Sequence, residues 1–147
     1  LNTLRQVIGT CINGDELFNA SIVDNITMGR DGIAMTDVLE ILDKLCLTDF
    51  IRSLPEGLNT KIYNEGQLFP KSSIQKLLLA RALVHRPKLL LLEDCFDNLI
   101  EKEKKEIIDY LFSSQVASTI ICVTNDSYFL SKTDQVYLMS SGTLHHA

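Results

Sequence analysis

Four consecutive leucines, Leu89 to Leu92, run directly into two adjacent carboxylates, Glu93 and Asp94. An unbroken apolar run of this length predicts a strand buried on both faces, the habit of a parallel sheet. Charges at the end of such a strand are costly to desolvate unless a cation or a hydrogen-bonding partner meets them. In open α/β sheets, ligands collect at the carboxyl ends of the strands. The run therefore reads as the ligand-facing end of a sheet, with metal and water as the chemistry its acids suit.

The flanking sequence supports an α/β fold. A short apolar strand is expected over Val7–Ile12, ending in the turn-like Asn13-Gly14-Asp15. Leu17-Phe18 and Ile22–Ile26 lead on to a loop at Met28–Gly32. From Thr36, taken as an N-cap, Val38, Ile41, Leu42 and Leu45 fall on one helix face. A short helix is expected from Asp49 to Leu54, stopped by Pro55-Glu56-Gly57. Residues 58–70 read as loop. Ser72 or Ser73 would cap a helix running to about His85, and Pro87 ends it. Glu101–Phe112 is a charged helix with Ile107, Ile108 and Leu111 inward. Thr119–Val123 reads as another buried strand, Tyr128–Leu130 as a short helical piece, and Gln135–Met139 as a last strand turning at Ser141-Gly142.

Composition narrows the function classes. With 147 residues, 46% hydrophobic and 22% charged, the chain is globular rather than disordered, and of a size for one domain or a large piece of one. A net charge of −5 without a basic stripe argues against nucleic acid as a partner. No apolar stretch approaches the ~20 residues of a membrane helix. Cys11, Cys46, Cys95 and Cys122 show no C-x-x-C spacing and read as free thiols.

Five segments in fixed order resemble the ATP-binding domain of ABC transporters. Leu79-Ala80-Arg81-Ala82-Leu83 through Pro87-Lys88 to Leu92 is similar to that family's helix-then-Walker-B unit. Leu17–Ile26 is similar to its "LFSGTIRENI" pattern, and Phe50–Thr60 to a segment typical of exporters. Thr133–Val136 and Gly142-Thr143-Leu144 match its closing strand and turn. The resemblance covers essentially the whole chain. It implies a partial P-loop NTPase-like core with a parallel sheet, residues 1–19 and 76–147, and an inserted helical subdomain over about 20–75. It also implies ATP and Mg2+ as ligands of a longer parent protein, with none held by this piece alone. The partners implied are a second nucleotide-binding domain and transmembrane domains, at the cytoplasmic face of a membrane.

Against that pattern, the nucleotide-handling positions are altered. No G-x-x-x-x-G-K-[ST] phosphate loop occurs. Where the family has the Q-loop glutamine the chain has Asn13, which also suits an ordinary Asn-Gly turn. The signature L-S-G-G-Q aligns with Phe69-Pro70-Lys71-Ser72-Ser73. Lys71, Ser72 and Ser73 at a helix start would favour a phosphate, although Lys71 also suits a solvated surface. The usual Asp-Glu is reversed to Glu93-Asp94. Glu93 would reach a hydrated metal, and Asp94 takes the place of the catalytic base one methylene short. Neighbouring strand residues point to opposite faces, so a simple exchange of roles is not expected. A carboxylate pair kept for local hydrogen bonds is the other reading. The D-loop S-A-L-D becomes Asp97-Asn98-Leu99-Ile100, and the switch histidine becomes Asn125, which cannot share a proton near neutral pH. The altered positions cluster on elements that touch the γ-phosphate or the attacking water, while apolar core positions keep the pattern. The expectation is an ABC-type domain with weak or no hydrolysis at its own site. A non-enzymatic interaction module on the same fold is the alternative.

Overall fold

The computed structural model describes residues 6–147. Its centre is a parallel sheet of β1 (Ile8–Cys11), β2 (Leu89–Glu93) and β3 (Thr119–Val123), in that order. Register is set where the strands begin: Lys88 donates its N–H to Val7 at 2.8 Å and accepts from Thr119 at 2.9 Å. Leu90 thereby lies opposite Gly9 on one side and Ile120 on the other. With side chains alternating, Leu90, Leu92, Cys11 and Cys122 share one face, and Leu91, Ile121 and Val123 the other.

The first face is the packed one. Leu90 and Leu92 are buried in the core, whereas Ile121 and Val123 are exposed. The expected burial of β2 on both faces, and of Thr119–Val123 as a whole, therefore holds for one face only. On the other, the strands are half-buried or open among the described residues. Continuous apolar sequence records what a sheet needs on both sides, not which side these residues themselves cover.

Between β1 and β2 lie α1 (Ile22–Thr27), α2 (Met35–Lys44), α3 (Thr48–Ser53), two 3₁₀ turns (Gly57–Asn59 and Asn64–Gly66) and α4 (Lys71–Leu83). α1 lies in the region expected to be helical over about 20–75, and at six residues it is too short to carry a periodic signal of its own. Ser21 caps it by accepting the Asp24 N–H at 3.1 Å, and Ile22 and Ile26 are buried one turn apart. Thr36 is not the cap of α2. That position belongs to Ala34, whose N–H is taken by the Asp37 carboxylate at 2.9 Å, so capping comes from inside the helix. Residues 58–70 are not plain loop: Ser21 and Lys61 form an antiparallel bridge, and Ile62 is buried beneath it.

Ser72 and Ser73 likewise lie within the first turn of α4. The Pro70 carbonyl accepts from Ser73 at 2.9 Å and Ile74 at 3.1 Å, so its backbone starts the helix. α4 then packs tightly on β1. A Cβ at Gly9 would stand 2.2 Å from the Ala82 carbonyl oxygen, which restricts that position to glycine.

After β2 come α5 (Glu101–Leu111), with Ile107, Ile108 and Leu111 buried as expected, and α6 (Ser127–Leu130). Phe129 of α6 packs between Phe96 and Phe112, with ring centroids 5.4 and 5.0 Å away. The last strand, expected over 135–139, is β4 (Tyr137–Ser140), and it pairs with an unanticipated β5 (Thr143–His146). This hairpin forms its own exposed sheet, turning at Ser141 and Gly142, both with positive φ. No helix among the described residues is long and apolar enough to cross a membrane.

Candidate functional site

At the carboxyl ends of β1 and β2 the sheet opens into a cavity of about 220 Å³. Its floor is Cys11, Glu93 and Asp94, one wall the Asn13-Gly14-Asp15 turn, and the other the face of α4 bearing Lys71, Gln75 and Leu78. These three recur at the spacing that places side chains one above another along a helix. Asn98 closes the side beyond β2.

Each wall has a local cause. After β1, Asp15 accepts the Ile12 N–H at 2.9 Å and returns its own N–H to the Ile12 carbonyl at 3.1 Å, while Gly14 takes a φ of 90°. This folds Asn13 back over the end of β2, where its N–H donates to Glu93 Oε2 at 3.1 Å. One oxygen of Glu93 is thereby engaged by backbone.

Asp94 departs from the strand pattern. β2 ends at Glu93, and Asp94 adopts a left-handed φ of 47° while still donating its N–H to the Val123 carbonyl at 3.1 Å. Aspartate tolerates this conformation better than most residues. Both acids consequently border one cavity instead of pointing to opposite faces as strand alternation predicts. The turn also determines whether the reversed order Glu93-Asp94 matters, because the backbone, not the pleat, sets where Asp94 points.

Beneath the acids, the Cys95 thiol donates to the Cys11 carbonyl at 2.8 Å. Hydrogen bonding with Cys95, followed by burial, raises the Cys11 thiol far above its ordinary range. Burial pushes Cys122 up to about 12. Raised in this way, the Cys11 and Cys122 thiols are suited to packing rather than to nucleophilic attack.

Four of the sequence-derived candidates therefore meet: Asn13, Lys71, Glu93 and Asp94. Three others are not among the residues lining the cavity. Ser72 is half-buried, Ser73 is buried, and Asn125 is exposed between β3 and α6. Asn125 lies in a loop held by its successor, Asp126, which accepts from Phe129 N–H at 2.8 Å and pairs with Lys104 at 2.7 Å. Sequence reasoning missed Gln75 and Asp15. Gln75 was detectable in principle, since it follows Lys71 by one helical turn.

Chemically, the paired Glu93 and Asp94 carboxylates, with Asp15 on the opposite wall and one spare lysine, match the hydrated-cation and terminal-phosphate end of a nucleotide. Lys71 makes no ion pair among the described residues. No group of three or more His, Cys, Asp or Glu side chains among them is placed to hold a metal. A cation here would thus be held by Glu93, with water and phosphate oxygens completing its shell, as magnesium prefers.

No protein-family model matches the chain. The chain is 27% identical to the heterocyst differentiation ATP-binding protein HepA of a Nostoc species, across 98% of its own length and 24% of that protein's. It is 27% identical to the alpha-hemolysin translocation ATP-binding protein HlyB of Escherichia coli, across 97% of this chain and 20% of HlyB. The cyclolysin secretion/processing protein CyaB of Bordetella pertussis gives 27% identity, with 95% and 20% covered. The solved structure of a bacterial Atm1-family ABC exporter with ATP bound superposes with a TM-score of 0.89 at 26% identity, over 98% of this chain and 25% of the exporter chain. The chain spans a quarter or less of the length of these relatives. In sequence and in fold, across nearly all of its own length, the chain is a homologue of the ATP-binding proteins of ABC exporters.

Proposed function

We propose that this chain is the C-terminal part of an exporter-type nucleotide-binding domain, covering the helical subdomain and half of the catalytic core. In the parent protein it binds MgATP together with residues outside this chain, and closure on the nucleotide against a second such domain drives attached transmembrane domains. Hydrolysis at its own site is weak or absent. The observation that carries the reading is the cavity in which Asn13, Lys71, Glu93 and Asp94 converge at the end of β2.

The residues present divide the work. Glu93, steadied by the Asn13 N–H, would hold a hydrated Mg2+, Asp94 would stand beside it in the place of the base, and Lys71 would balance phosphate charge. Bound MgATP would supply the energy of closure. Asp94 is a poor general base because its carboxylate stops one methylene short, and Asn125 has no proton to exchange near neutral pH.

The test is ATP turnover by the full polypeptide that carries these residues, compared with its Asp94→Glu/Asn125→His form. The expected result is slow turnover that rises by roughly tenfold or more when a base and a proton-sharing histidine are supplied. Turnover already at the level of active transport ATPases, or lowered by the double substitution, would sink the weak-hydrolysis reading. No magnesium-dependent ATP binding at all would favour a non-enzymatic interaction module instead.

A further inference from the structure

Resting on the reading of the cavity as a metal-and-phosphate site, we infer that Gln75 is a positioning residue that holds the Glu93–Asp94 turn in its cation-binding shape and ties it to the first turns of α4. Three hydrogen bonds carry this. Gln75 Nε2 donates to the Asp94 carbonyl at 2.9 Å, and its Oε1 accepts from the Asn98 backbone N–H at 3.2 Å and the Asn98 Nδ2 at 3.3 Å. The orientation of the amide is forced, because the Asp94 carbonyl can only accept and the Asn98 N–H can only donate.

The clamp acts where the backbone needs holding. Asp94 is left-handed, a conformation unfavourable for an L-residue unless local contacts favour it. Its side-chain direction follows from that φ, so whatever fixes the carbonyl also aims the carboxylate. A side-chain amide of this length is the group that offers a donor and an acceptor together. Glutamate would set a negative oxygen against the Asp94 carbonyl, and asparagine is one methylene short. Lys71 and Gln75 lie one turn apart on the same face of α4, both lining the cavity. A displacement of the start of α4, where Lys71 would meet phosphate, is thereby passed to the acids through a single rigid amide.

The experiment uses the full polypeptide with Gln75→Leu, and with Gln75→Asn as a milder second variant. One arm follows amide hydrogen exchange, and the other follows Mn2+ binding by electron paramagnetic resonance in the presence of ATP. Losing three hydrogen bonds should speed exchange at the Asn98 N–H by roughly tenfold, while amides of Leu79–Leu83 in the same helix stay within about twofold. Mn2+ affinity with ATP present should fall by roughly tenfold, a larger loss than that of ATP affinity in EDTA. Gln75→Asn should show the same split. The inference is overturned if Asn98 exchange stays at the wild-type rate, if all of α4 exchanges faster in step with it, or if Mn2+ and metal-free ATP affinities fall equally. A wild-type protein that binds no Mn2+ with ATP overturns the cation-site reading itself, and Asn98 exchange then decides alone whether Gln75 holds the turn.

Discussion

His85 illustrates how one residue's surroundings set a pH response. Its Nε2 lies 3.3 Å from the Ile8 carbonyl, and because a carbonyl only accepts, that nitrogen carries the proton in the neutral ring. Burial, with the charge of Arg30 nearby, holds the imidazole below its ordinary range. The unfolded chain then binds more protons than the folded one between that lowered value and about 6.5. The stability owed to His85 is complete above about 6.5 and is lost as pH falls through the folded value. Urea unfolding midpoints should therefore drop between pH 7.5 and pH 5, and His85→Gln should flatten part of that slope. Equal slopes for the two proteins would show that His85 titrates alike in both states. The carboxylates held low by lysines, such as Asp126 beside Lys104 despite the opposing effect of burial, act at lower pH and leave this window clear.

At the scale of elements, Lys76 joins three of them. From α4 it reaches Glu103 of α5 at 3.0 Å and the Cys46 carbonyl, in the left-handed turn between α2 and α3, at 3.0 Å, and it is almost fully buried. The same turn is tied to α5 by the Cys46 thiol donating to Glu106 at 3.3 Å, and burial pushes that thiol up to about 11. Removing the buried Lys76 strands the charge of Glu103, which keeps 27% of its side chain exposed and so is only partly compensated by water. Lys76→Met should cost about 1–3 kcal/mol in equilibrium unfolding, and adding Glu103→Leu should recover most of it. An additive double mutant would mean that the pair is not coupled.

How much of this was legible follows from which signals are local. The β2 strand and α5 were readable because Leu89–Leu92 is continuous and Ile107, Ile108 and Leu111 recur at helical spacing. The starts of α2 and α4 were not, because hydroxyl residues at Thr36, Ser72 and Ser73 offered a capping signal that Asp37 and the Pro70 carbonyl supplied instead. In the site, the acids Glu93 and Asp94 were legible from their place after a strand, and Asn13 and Lys71 only through the family resemblance, whereas the left-handed turn at Asp94 and the Gln75 clamp are tertiary facts. No spacing rule encodes them.

For the molecule as a whole, the decisive imbalance is between a well-packed half and an open one. Leu90 and Leu92 are sealed while Ile121 and Val123, on the opposite face of the same sheet, stay more than half exposed. The cavity at the strand ends is equally one-sided: it offers three carboxylates, Asp15, Glu93 and Asp94, and one lysine, in a chain of net charge −5. A triphosphate carries more negative charge than one surface lysine can offset, and exposed ion pairs contribute about 0–1 kcal/mol. Backbone N–H groups of a glycine-rich loop, the usual phosphate cradle, have no counterpart in the sequence. Residues 1–147 alone should therefore show no saturable MgATP binding by titration calorimetry up to about 1 mM, where a dissociation constant corresponds to only about 4 kcal/mol of binding free energy. The full polypeptide should saturate well below that concentration. Micromolar binding by residues 1–147 alone would mean that Lys71 and the first turn of α4 hold phosphate unaided, and the composite site proposed above would have to be abandoned.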